Sequence, residues 1–270
     1  MDGLNRKIPG PVKTAIPLRG IVLASCWGLL LLFAPSQGEA GTDCLSPGES
    51  ASYQIRWSFV VAGHVEIAIR KDTLVNDQEA RHFSLTARTL PFIDIFHKVR
   101  DQLDAFTDAD ITRSLVYRKV QKGSTRRDIA IQFDWSSNTV TYRNFGESRP
   151  PLAIPTGTFD PLSAYFFMRT LNFATGDDIS RPVTDGKKLV IGHAKILGRE
   201  RIRVPAGEFD TYLVEPDMQD VRGVFEKEKN ARLLVWLTAD RCHLLVRAKS
   251  KVIVGSFVAE LVSLTTPGDE

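Results

Sequence analysis

Glu208 and Asp210 are the acids whose placement comes nearest to a catalytic pair. They lie in Arg201 to Pro216, Arg-Ile-Arg-Val-Pro-Ala-Gly-Glu-Phe-Asp-Thr-Tyr-Leu-Val-Glu-Pro, and on a regular strand residues i and i+2 share a face. Two such carboxylates do acid–base work when burial raises the pKa of one of them, so a hydrolase built on this pair is one reading. Beside the Pro205-Ala206-Gly207 turn, however, carboxylates more often accept backbone N–H bonds or sit in water. Asp101 and Asp104 fall on opposite faces of a strand and are weaker candidates.

Other chemistry is sparse. His64, His82, His97, His193 and His243 show no metal-ligand spacing and no diagnostic interval to a carboxylate. Neither a Gly-x-Ser-x-Gly elbow nor His-Glu-x-x-His, Ser-x-x-Lys or a glycine-rich phosphate loop occurs. The neighbours Cys242 and His243 would point to opposite faces of a strand, so they make no nucleophile–base couple there. The residues therefore name no catalytic group, no metal site and no cofactor. Arg126 and Arg127 with Arg56 could form an anion site; solvated strand faces are the ordinary alternative. The aromatic set Tyr53, Trp57, Tyr117, Tyr142, Tyr165 and Trp236 could line a cavity for a lipid or other apolar ligand, although aromatics more commonly fill cores.

These residues sit on short alternating strands. Tyr53, Ile55, Trp57 and Phe59 alternate with polar neighbours, as do Val65, Ile67 and Ile69, and Ile129, Ile131 and Phe133. Turn signals separate the runs at Asn76-Asp77, Lys122-Gly123-Ser124, Ser136-Ser137-Asn138 and Thr184-Asp185-Gly186. Phe209–Val214 and Leu233–Leu237 are apolar on both faces, which places them mid-sheet with cover on each side. Pro91–His97 is too apolar for a solvated loop and reads as a short helix or a cap over the sheet. Pro150-Pro151 interrupts the pattern. After it, Asp160 suits an N-cap and Pro161 a first helical position, opening a helix to Leu171 that is apolar over most of its circumference and hence buried. Asp217–Asn230 is charged and reads as a mobile excursion.

The 270 residues contain 35 Lys and Arg against 32 Asp and Glu. Residues 1–40 hold 4 of those bases and 2 of those acids, which leaves the rest at +1. A near-neutral chain lacks the concentrated basic footprint of a nucleic-acid binder. Residues 1–40 have the build of a secretory signal peptide: a basic start, an apolar run over 20–34, Pro35, and small residues before a cleavage point near Ala40. An uncleaved anchor at residues 20–34 is the alternative, though the run is shorter than the roughly 20 residues a span needs. Leu23-Ala24-Ser25-Cys26 resembles a lipobox, but most of the apolar run follows the cysteine rather than preceding it. Export leaves Cys44 and Cys242, which could form one disulfide or remain two distant thiols.

The chain resembles an exported bacterial family known as domain of unknown function 3108. The resemblance is carried by Gly48-Glu49, Tyr53-Gln54-Ile55-Arg56-Trp57, Ala62-Gly63, Val99-Arg100-Asp101, Asp160-Pro161-Leu162-Ser163-Ala164, Val204–Pro216, Val235-Trp236-Leu237-Thr238 and Ala259-Glu260-Leu261. It implies an envelope-located β protein and brings no catalytic residues with it. The expectation is a mainly β fold: a strongly curved antiparallel sheet or incomplete β-barrel of about ten to fourteen strands with one buried helix. Residues 41–270 would form a single domain of two β meanders joined by the loop and helix at 145–171. The expected role is non-catalytic and periplasmic, binding an apolar or amphipathic ligand; the alternatives are a scaffold for an envelope protein partner and the Glu208/Asp210 hydrolase.

Overall fold

In the computed structural model, residues 44–217, 232–251 and 256–267 are described. The expected leader at 1–40, with Cys26, and the charged segment 218–230 lie outside them. The elements follow in the order β1 (Ser50–Trp57), β2 (Val60–Val75), β3 (Gln78–Thr89), α1 (Pro91–Asp94), β4 (Arg100–Asp108), β5 (Ser114–Lys122), β6 (Arg126–Asp134) and β7 (Thr139–Asn144). Then come β8 (Glu147–Ser148), β9 (Leu152–Ala153), α2 (Pro161–Arg169), β10 (Asp178–Thr184), β11 (Leu189–Val204), β12 (Gly207–Pro216), β13 (Arg232–Thr238), β14 (Leu245–Lys251) and β15 (Ser256–Thr265).

All fifteen strands belong to one antiparallel sheet, ordered β10-β11-β12-β13-β14-β15-β1-β2-β3-β4-β5-β6-β7-β8, with β9 beside β7. The first and last strands pair along their whole length, Ser50 against Thr265 and Trp57 against Phe257. The two meanders are thus halves of one sheet, and among the described strands its ladder is left open between β8 and β10, where the chain turns aside to build α2. The strand count exceeds the expected ten to fourteen because the Pro-rich connection makes two-residue strands on either side of Pro150-Pro151. The prolines themselves stay out of the ladder, having no N–H to give it.

Turn chemistry sets the register. Asn76 and Asp77 both adopt positive φ, 51° and 63°, the twist that a two-residue hairpin demands. The Asp134 carboxylate accepts from the hydroxyls of Ser136 and Ser137 and from the Ser136 amide, and these donors hold its pKa down to about 2.

Helix α2 lies against the sheet and fills its interior. Phe166 stacks on Phe83 at 3.8 Å between ring centroids, and with Leu162 and Phe159 it joins a core of Ile69, Ile131, Phe133 and Val140. Asp160 caps the helix as the sequence predicts: Oδ1 accepts from the Leu162 and Ser163 amides at 2.9 and 3.0 Å. Ser114 and Ser163 hydroxyls donate to Oδ2, each at 2.6 Å. At the other end the buried Arg169 grips Glu49 through Nη1 and Nη2, at 2.6 and 3.1 Å, and donates Nε–H to the Cys242 carbonyl. The segment before the helix also ties the edge strand β10 to β5: Phe159 bonds to β10 through the Pro182 carbonyl and the Thr184 amide, and the Thr158 carbonyl accepts from the Ser114 amide.

The strands that are apolar on both faces are covered on both. Val235 and Leu237 of β13 pack with Phe173, Tyr212 and Val214, whereas Trp236, pointing the other way, packs with Ile202, Val204 and Leu261. The second contact exists because the β11–β12 hairpin extends past the end of β13 and reaches β15, where the Ala206 amide donates to the Leu261 carbonyl.

Candidate binding surface

The structure takes apart the catalytic reading of Glu208 and Asp210. Each faces an arginine across the β11–β12 ladder: Asp210 pairs with Arg201 at 3.0 Å and Glu208 with Arg203 at 3.8 Å. Both acids are exposed. Solvated, arginine-paired carboxylates on an outer face lack the burial that would make one of them an acid, so the pair supplies cross-strand ionic contacts.

The aromatic candidates are dispersed. Tyr53, Tyr117, Tyr142 and Trp236 are buried in the packed clusters. Tyr53 donates to the Leu245 carbonyl, and Tyr165 accepts from the Leu245 amide, so two phenols clamp one backbone position from the interior. Burial pushes the pKa of Tyr53, Tyr117 and Tyr165 upward. Trp236 donates its indole N–H to Glu200. Trp57 is 42% exposed. Arg56 and Arg127 do not converge either, because Arg56 pairs with the buried Glu260, which Arg247 also holds.

Cys44 and Cys242 are joined in a disulfide, with Cα atoms 5.1 Å apart. It ties the lead-in to β1 to the β13–β14 turn. Cys242 and His243 lie in that turn, not on a strand, and His243 stacks on Phe173 at 4.1 Å. Cross-strand register makes one contact that sequence spacing hid: His82 lies 2.9 Å from Asp104 and stacks on Phe106. Among the described residues no serine, threonine or cysteine hydrogen-bonds that imidazole, and no three metal-ligating side chains converge.

Most of the exposed large apolar side chains, by contrast, gather at one end of the sheet, with Leu74 and Leu264 toward the other. Alternate turns of an antiparallel meander lie at opposite ends, so the β1–β2, β3–β4, β5–β6, β7–β8 and β10–β11 connections lie on one rim and the β2–β3, β4–β5, β6–β7, β11–β12 and β13–β14 connections on the other. On the first rim Phe59 is 98% exposed, Ile95 81% and Phe96 83%, with Trp57, Val60 and Phe257 beside the β1–β2 turn. Trp57 and Phe257 stack with ring centroids 6.3 Å apart. The α1 connection is no cap over the sheet: none of its helical residues is buried, because it begins where β3 ends and leaves the sheet at the rim. The Leu90 amide bonds to the Ala62 carbonyl, and the Ser124 amide to the Lys98 carbonyl. These bonds set α1 between the β1–β2 and β5–β6 turns.

The rims differ in charge. Lys98, Lys122, Arg126, Arg149, Lys187 and Lys188 stand on or beside the described turns of the first, against Glu147, Asp185 and Asp94, the last held by Arg100 at 2.6 Å. Acids outnumber bases at the turns of the second: Asp77, Asp108, Asp110, Asp134 and Asp240 against Arg113 and Arg241.

The fold and this surface define a class: open, barrel-like antiparallel β proteins with a helix in the hollow of the sheet. Within it the chain belongs to the family described as "Protein of unknown function (DUF3108)", whose model matches residues 52–262. A β-barrel-like protein of domain of unknown function DUF1849 from Brucella abortus has the same fold at 11% identity and a TM-score of 0.50, covering 81% of this chain and 97% of that one. Lower similarity links the chain to a protein provisionally named a lipoprotein from Parabacteroides distasonis, at 13% identity and TM-score 0.34 over 82% of this chain and 97% of that one. A protein provisionally named as exported, with a YmcC-like fold, from Bacteroides fragilis matches at 10% identity and TM-score 0.36 over the same shares. No curated protein matches the sequence.

Proposed function

We propose that this chain is a non-catalytic, exported protein of the cell envelope that engages an anionic lipid surface through its first rim. The observation that carries the reading is the concentration of exposed aromatic and aliphatic side chains, led by Phe59, Ile95 and Phe96, on the rim whose turns are also basic. Apolar area left in water costs about 25 cal/mol per Å². Aromatic residues with flanking cations suit the boundary between acyl chains and anionic headgroups. The leader expected at 1–40 would deliver the chain to the periplasm, and no described helix is long and apolar enough to cross a membrane. The ligand is amphipathic, as the sequence suggested, but this reading moves it from an aromatic-lined interior to the rim.

Vesicle flotation tests the proposal. The purified protein is expected to float with vesicles containing phosphatidylglycerol, less so at high salt. Phe59→Ser with Phe96→Ser should lower partitioning by about tenfold or more, from the apolar burial lost. Wild-type protein that stays unbound at every lipid composition would overturn the reading and turn the patch toward a protein partner.

A further inference from the structure

The first rim also contains a cleft of about 280 Å³, bordered by Arg127, Tyr142, Asn144, Glu147, Arg149 and Lys187. It lies at the break in the sheet. Arg127, Tyr142 and Asn144 belong to β6 and β7, Glu147 and Arg149 to the β8 end, and Lys187 to the β10–β11 turn on the opposite edge. That turn comes close: a Cβ on Gly186 would stand 3.1 Å from the side chains of Ile131 and Tyr142.

Donors dominate this cleft. The Arg149 guanidinium lies 5.6 Å and the Lys187 ammonium 4.8 Å from the centre of the Tyr142 ring. Among the described residues no carboxylate pairs with Arg127, Arg149 or Lys187. The Asn144 side-chain oxygen is engaged by the Asp128 amide, which leaves its NH₂ group as a donor. Ser148 adds a hydroxyl to the lining. Glu147, on the lip, is the one acid there. Three cations set against one acid repel one another, and a multivalent oxyanion between them relieves that repulsion while accepting from several N–H groups at once.

We propose that this cleft is an oxyanion site that takes a phosphate ester bridging the two edges of the open sheet. The proposal rests on the rim reading only for its source: a phospholipid headgroup if the rim meets lipid, a soluble phosphate ester otherwise. The exposed Phe145, in the β7–β8 turn, would then flank the ester's organic part.

Titration of the full protein with glycerol phosphate and with inorganic phosphate, followed by NMR and calorimetry, tests it. Binding is expected to shift resonances of residues 142–149 and 187. Arg149→Gln with Lys187→Gln should weaken it about tenfold or more, as loss of charge-assisted hydrogen bonds does, and Glu147→Gln should strengthen it. All these side chains except Tyr142 and Asn144 are exposed, so circular dichroism should show the substituted chains folded. Phe59→Ser with Phe96→Ser should leave glycerol phosphate binding unchanged while lowering vesicle binding. If glycerol phosphate binds but no vesicle does, the cleft stands and the rim reading falls. If vesicles bind while neither phosphate does, or if the Arg149 and Lys187 substitutions change nothing, the oxyanion site is overturned.

Discussion

Asp160 shows what a single residue contributes here. It caps α2, anchors Ser114 of β5 and Ser163 of the helix, and is wholly buried. Burial raises its pKa, and the four hydrogen bonds it accepts, which favour the carboxylate, oppose that rise. Its folded pKa therefore lies above the unfolded value, and the folded state holds the proton more tightly over the interval between the two. The Asp160 contribution to stability is accordingly greatest below pH 3.8, declines as pH rises through the raised folded pKa, and is level above it. Asp160→Asn keeps an acceptor for the two helix amides and can donate to the two hydroxyl oxygens. The stability difference between wild type and Asp160→Asn, from urea melts at several pH values, should thus shift against the wild type as pH rises across that interval; a pH-independent difference contradicts the argument. Asp160→Ala leaves buried donors unsatisfied and should cost about 2 kcal/mol or more in the same melts.

At the scale of elements, the structure depends on close approaches that glycine permits. Gly186 sits at φ +79° in the β10–β11 turn, against Ile131 and Tyr142. A methyl group there meets both a strained backbone and two core side chains. Gly186→Ala is expected to lower the urea-unfolding free energy by more than about 1 kcal/mol and to shift Tyr142 resonances; an unchanged melting profile would show that the turn does not hold the edges together. Gly123 has a related role beside α1, where a Cβ would stand 2.0 Å from the Lys98 carbonyl oxygen. The short helix there illustrates a limit of apolar content as a guide to burial. Pro91–His97 reads as a short helix or a cap because it is rich in Phe and Ile; the short helix forms at Pro91–Asp94, yet Ile95 and Phe96 face solvent. A connection at the end of a strand has no neighbouring layer to cover it, and nothing in its own residues reveals that.

For the whole molecule, the bond between Cys44 and Cys242 closes a loop across a sequence separation of 198 residues. It fastens the second rim where the first and last strands meet, near the Arg169–Glu49 pair. Cross-linking so long a loop restricts the unfolded chain, and the chain-entropy model puts the gain at up to about 5 kcal/mol. Replacing both cysteines with serine should lower the unfolding free energy toward that extent. A dithiol reductant should do the same to wild type and nothing to the variant; equal melts with and without reductant would show that the bond adds no stability. Bases outnumber acids at the described turns of the aromatic rim and acids outnumber bases at those of the other, a polarity that would orient the molecule on the anionic lipid surface we propose.

What the sequence by itself determined is the local chemistry: alternation that makes strands, turns at Asn76-Asp77 and Thr184-Asp185-Gly186, the Asp160-Pro161 start of α2, and cover on both faces of β12 and β13. These follow from backbone sterics and from period-two burial, which neighbouring residues encode. Only the tertiary structure decided which strands meet. Pairing of β1 with β15 brings Cys44 to Cys242 and places the break beside α2. Register sets Arg201 against Asp210 and Arg203 against Glu208, converting an apparent acid pair into ion pairs. The six aromatics looked alike as a set, but depth in a curved sheet separates the buried Tyr53 from the exposed Trp57. The rim is assembled from turns more than a hundred residues apart in the chain and the cleft from strands and turns on either side of α2, and no spacing along the sequence records that juxtaposition.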